Sequence, residues 1–158
     1  MRDIWVDGAD APLEVEWLDA SRWEATVPLG PGENSLVFLA RDHRGRPVGS
    51  DSITVSNTGS VVAASGANLA IAELMYHPAE GEGIEFLELV NTSTSETIDL
   101  TGVRFEEGID YSFADRTQLA PGDRVVIGQS QFAGGSRLAD GGERLTLVDG
   151  GGSLIFDF

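Results

Sequence analysis

Between Glu73 and Asn91 the sequence reads ELMYHPAEGEGIEFLELVN, which places five carboxylates (Glu73, Glu80, Glu82, Glu85 and Glu88) and His77 within nineteen residues. Such residues ligate metals or exchange protons, provided the backbone gathers them at one point. On a helix, Glu73 and His77 would share a face, as would Glu85 and Glu88, the arrangement of carboxylate-bridged metal bundles. Pro78, Gly81 and Gly83 interrupt any such helix. On a strand, Glu85 falls with Leu87 and Leu89 on one face, and Glu88 falls with Ile84, Phe86 and Val90 on the other. The two glutamates then point apart and cannot ligate one ion. Glu88, sharing its face with three apolar residues, is expected to be partly buried and to accept hydrogen bonds from loop backbone. His77 is expected as a turn residue, and Glu80 and Glu82 as loop acids.

Two further clusters qualify as calcium candidates. VDGAD carries Asp7 and Asp10 in the manner of a calcium loop, without the later acids and closing glutamate of an EF-hand. FEEGID carries Glu106, Glu107 and Asp110, which an exposed hairpin explains equally well. No GxSxG elbow is present, and neither histidine sits in a context that supports a triad. The glycine clusters GPG, AGG and DGGG lack the strand–loop–helix setting of a phosphate loop and read as turns. Trp5, Trp17 and Trp23 suit either a sugar-stacking platform or a core, and the core is the expected role. No catalytic residue is assigned, no cofactor is expected, and calcium is the one ion the acids invite.

The elements that must position these residues are strands. LEVEWLDA and RWEATVPL alternate with period 2, and SLVFLA is apolar throughout, as in a strand buried on both faces. The turn GPGEN precedes it, RDHRGRPVGSD makes a polar hairpin connection, and SITVSN closes the unit. Helix caps and helical periodicity are absent. From residue 69 onward, strand-like runs recur every 8–12 residues or so, separated by EGEG, LAPGD, ADGG and DGGG, the spacing of a sandwich or barrel. Between the halves, SNTGSVVAASGAN is small and polar, which suits a linker. The expected organisation is all-β: two β-sandwich modules in tandem, 1–57 and 68–158, joined by a linker at 58–67. The first strand or two of the first module are expected upstream of Met1.

Composition narrows the partners. The 158 residues carry a net charge of −16, all ten basic residues are arginine, and 41% of the chain is hydrophobic, enough for a core. Both halves are acidic: ten acids against five arginines in residues 1–60, sixteen against five in residues 61–158. With no basic cluster to pair phosphates, neither nucleic acid nor an anionic membrane surface is an expected partner. The chain has no cysteine, hence no disulfide and no thiol nucleophile. Its longest small-apolar run, VVAASGANLAIA, is too short to span a bilayer, so membrane insertion is not expected.

Six motifs in order, IAELMYHP (71–78), EFLELVN (85–91), IDLTGVRF (98–105), IDYSF (109–113), QLAPGDRVVI (118–127) and RLADGGERLTLVDGGGSLI (137–155), resemble the lamin tail domain, an immunoglobulin-like β-sandwich. Residues 23–55, with Trp23, the Gly32/Asn34 turn and the Ala40/Asp42/Gly45 hairpin, resemble small bacterial immunoglobulin-like or fibronectin type III-like modules. The resemblance implies a tandem from a large exported bacterial protein, extracellular or at the cell surface. It implies a non-catalytic part in protein docking, spacing or anchoring, with protein partners or neighbouring domains of the same polypeptide. The alternative is a calcium- or carbohydrate-dependent adhesion module. Lamin tails engage DNA in places; the acidity of this chain argues against carrying that over.

Overall fold

The structure, a computed structural model, describes residues 3–76 and 84–158. His77, Pro78, Glu80 and Glu82 therefore lie outside the described residues. The all-β class expected from the sequence holds: among the described residues the elements besides strands are the single 3-10 turns Gln129–Gln131 and Ala133–Gly135.

In the first half, β1 (Asp3–Val6), β4 (Gly32–Arg41) and β5 (Pro47–Asn57) form an antiparallel sheet in the order β1-β4-β5, and β2 (Glu16–Trp17) pairs with β3 (Trp23–Glu24). The quoted turn motifs do specific work here. Asn34 closes the turn before β4, accepting the Gly30 N–H at 2.8 Å and donating to the Gly30 carbonyl at 2.9 Å. Asp42 accepts the N–H groups of Arg44 and Arg46 and so tightens the hairpin into β5. The described strands of this half make one sheet and one short ladder, and among the described residues its buried hydrophobic side chains are Ile4, Ala11 and Leu13. SLVFLA, on the central strand β4, is half-exposed rather than buried on both faces, and most residues of the neighbouring β5 meet solvent. None of the three tryptophans is buried: Trp17 is 43% exposed, Trp23 lies edge-on to Phe38 at 5.8 Å, and the Arg41 guanidinium covers Trp5 at 4.2 Å.

The second half contains three three-stranded sheets. β7 (Leu69–Met75), β8 (Phe86–Asn91) and β12 (Arg124–Gly128) run in the order β12-β8-β7. β6 (Val61–Ala63) and β11 (Gln118–Leu119) flank β9 (Thr97–Asp99), β6 in parallel. β10 (Arg104–Glu107), β13 (Thr146–Val148) and β14 (Leu154–Asp157) make the third. Their inward residues, among them Leu87, Leu89, Ile98, Leu100, Ile127 and Leu147, form one continuous core. Residues 58–67, expected as a linker, carry β6, and Val62 and Ala64 belong to that core. Small side chains here permit close packing; they do not mark a tether.

Candidate interaction site

The two halves meet along a polar seam built from the segment after β1 and the β13–β14 turn. The N–H groups of Asp10 and Ala11 both donate to the Gly152 carbonyl, at 2.7 and 2.9 Å. The Leu154 N–H donates to the Asp10 carboxylate at 2.9 Å. From β10, the buried guanidinium of Arg104 donates to the Pro12 carbonyl at 2.7 Å and to the Asp149 carbonyl at 3.4 Å, while its Nε bonds Glu106 at 2.8 Å. Sequence places glycine where this contact is tightest. At Gly152 the backbone has φ +85°, and an added Cβ would stand 2.2 Å from the Ala11 carbonyl oxygen. At Gly150 a Cβ would meet the Thr101 carbonyl at 2.7 Å and the Pro28 ring at 3.3 Å. The DGGG cluster is a turn, as expected, and also the socket that receives the first half.

The calcium candidates divide. Asp10, Glu106 and Glu107 line one groove of about 390 Å³ beside the seam, together with Arg144 and Asp157. The cation in this groove is Arg144, whose guanidinium bonds both Asp157 oxygens at 2.7 and 2.5 Å and approaches Glu107 at 3.4 Å. That pairing raises the guanidinium pKa further and lowers the Asp157 carboxyl below its ordinary value. Glu106 is taken by Arg104, Glu107 also accepts the Thr146 hydroxyl at 3.1 Å, and Asp10 holds Leu154. Asp7 and Asp110 lie outside this lining; the Asp110 N–H donates to Ser136 Oγ at 2.9 Å. Among the described residues no group of three or more His, Asp or Glu side chains is placed to hold a metal ion.

The acids of the opening stretch separate as strand geometry requires, but the inward face is the other one. Glu85 is 5% exposed and lies on the face of Leu87, Leu89 and Asn91, all buried. Its Oε2 accepts the Leu138 N–H at 2.8 Å, the loop-tying role expected of Glu88. Glu88 lies on the outer face, partly buried and paired with Arg124, and stands opposite Glu73 across the β7–β8 ladder. Sequence reasoning also passed over Asn91, 0% exposed, whose amide donates to the carbonyls of Glu96 and Leu119 at 2.8 and 2.9 Å and accepts the Ser93 N–H at 2.9 Å. A polar residue ending the run of core-facing alternation was the available signal.

On the other side of the seam lies a larger groove, about 880 Å³, between the β2–β3 ladder, the first sheet and the second half. Its lining combines Trp23, Phe38 and Ile53 with Glu14, Glu16, Glu24 and Asp115, and among the described residues its one lining cation is Arg104. The groove thus sets an apolar patch beside four carboxylates.

No curated protein and no solved structure matches the chain. The family model of the lamin tail domain, an immunoglobulin-like and non-enzymatic domain, matches residues 62–157. That span takes in the whole core of the second half and more than half of the sequence, and the chain belongs to the lamin tail domain family.

Proposed function

We propose that this chain is a non-catalytic docking and spacing module of an exported, multidomain bacterial protein, working outside the cell or at its surface. In this reading its first half is an immunoglobulin-like or fibronectin type III-like unit, and the lamin tail domain follows in tandem. Its partners are other proteins or neighbouring domains, and nucleic acid is disfavoured by the net charge of −16. The observation that carries the proposal is the seam. Four backbone or side-chain hydrogen bonds and a glycine socket fix one unit against the other, as a spacer needs, and the open groove beside them offers a contact surface.

The test uses the full-length gene product with an epitope tag in the exposed β4–β5 hairpin. Protease added to intact cells should remove the tag, and a tag protected until lysis would refute surface exposure. Calcium-dependent adhesion is the rival: four carboxylates line one groove, Asp10, Glu106, Glu107 and Asp157, though among the described residues no three are placed to hold one ion. It requires a rise in Tm with calcium that chelator abolishes.

A further inference from the structure

We infer that the larger groove receives an extended basic peptide segment of a partner protein, with an arginine or lysine set among Glu16, Glu24 and Asp115 and an apolar side chain laid against Trp23, Phe38 and Ile53. The inference rests on the docking reading and specifies its occupant. The first support is an unfavourable register. Glu16 stands directly opposite Glu24 in the β2–β3 ladder, where like charges repel. No hydrogen bond or ion pair relieves Glu16, Glu24 or Asp115 among the described residues, and Arg104 is already committed to Glu106, Pro12 and Asp149. A cation from outside is what this arrangement lacks. The second support is apolar and independent of charge. Ile53 is 53% exposed in the middle of β5, and the Trp23–Phe38 pair stands beside it in the same lining. The third is the ladder itself: β5 is an edge strand of eleven residues, so an extended segment can add its backbone there while its side chains enter the groove. A second copy of this chain is a poor occupant, because two bodies of charge −16 repel.

The probe is a fluorescein-labelled nonapeptide alternating arginine and leucine, titrated against the 158-residue chain by anisotropy. Binding should weaken as salt rises and disappear when each arginine is replaced by citrulline. The double variant Glu16→Gln/Glu24→Gln should bind about tenfold or more weakly, and it should have a higher Tm than the parent because the cross-strand repulsion is gone. Glu33→Gln/Glu73→Gln, which removes equal charge outside the groove lining, should bind as the parent does. Ile53→Ser should lose several-fold while keeping its Tm. Equal losses in the two double variants would reduce the effect to general charge attraction and overturn the inference. So would absence of binding, self-association abolished by Glu16→Gln/Glu24→Gln, or a calcium-induced Tm shift abolished by it. Each of these removes the basic peptide as occupant, whereas the docking proposal stands or falls on the protease test with intact cells.

Discussion

The carboxylate of Asp10 accepts the backbone N–H of Leu154 at 2.9 Å, joining two residues 144 positions apart. One residue further on, the Ala11 carbonyl lies where a side chain on Gly152 would have to stand. The two halves are thus held by backbone proximity that only glycine allows. Gly152→Ala should cost at least about 1–2 kcal/mol from the left-handed backbone alone, with the clash added. Because the clash opens the seam, the radius of gyration from X-ray scattering should increase too. An unchanged urea midpoint together with an unchanged radius would show that the seam is not what holds the units together. Asp10→Ala removes one exposed hydrogen bond and should cost about 0.5–1.5 kcal/mol.

Glu85 and Glu88 separate the inside of β8 from the outside, and substitution should tell them apart. Glu85→Ala leaves the buried Leu138 N–H without its acceptor, a loss of about 1–3 kcal/mol before any cavity is counted. Glu85→Gln keeps an oxygen able to accept that bond and should lose less. Glu88→Gln removes a pairing with a solvent-facing arginine and should change the urea midpoint little. Hydrogen exchange at the Leu138 amide, faster in Glu85→Ala than in Glu85→Gln, is the local readout.

The contrast between these glutamates marks what alternation reveals. IEFLELVN is apolar on both faces, so period 2 separates Glu85 from Glu88 correctly without saying which face is inward. The decision comes from β7 and β12 flanking β8 and from the Leu138 loop closing over Glu85, all contributed by distant sequence. The same limit explains the 58–67 stretch, where small residues look like a tether until the parallel neighbour β9 is present to pack them. Lamin-tail motifs such as IDLTGVRF and QLAPGDRVVI were legible because each joins a turn to strands with buried residues, Ile98 and Phe105 in the first, Leu119 and Ile127 in the second. The seam was not, because neither VDGAD nor DGGG shows its partner locally. For the groove, the acids and tryptophans were visible as types, but their juxtaposition depends on the β2–β3 register and on how the halves meet.

Asn91 stitches three chain segments together from a fully buried position. Asn91→Ala would strand the carbonyls of Glu96 and Leu119 and the N–H of Ser93, and the expected loss is about 2–4 kcal/mol. Asn91→Asp should be at least as harmful at neutral pH, since a carboxylate has no hydrogens for the two carbonyls and must be buried charged. Its deficit relative to the parent should shrink in acid, where the protonated group regains one donor. Paired urea titrations at neutral and mildly acidic pH measure this; a deficit independent of pH would place the carboxyl in contact with water.

Asp149 gives the stability curve a component of opposite sign to that of the exposed aspartates. Its Oδ1 accepts the N–H groups of Gly151 and Ser153, both at 2.8 Å, in the turn that docks the first half. Burial pushes its carboxyl pKa above the ordinary value, and these bonds together with the Arg104 charge reverse only part of that. The folded chain therefore binds this proton more tightly than the unfolded chain. Stability from Asp149 is fully present below the unfolded pKa, about 3.9, and declines as pH rises to the folded one. Asp19, Asp42 and Asp157 behave the other way, their pKa values lowered by hydrogen bonds, chiefly from Ser21 for Asp19, from Arg46 for Asp42 and from Arg144 for Asp157. Their contribution is complete above the unfolded value and is lost as pH falls through the folded ones. Asp149→Asn retains an oxygen for both turn N–H groups and removes the ionisation. The variant should match the parent in acid and become the more stable of the two as pH rises above about 4, with the difference levelling off once Asp149 is fully ionised. Denaturant titrations across that range would refute the assignment if the difference were constant or if the parent were favoured at neutral pH.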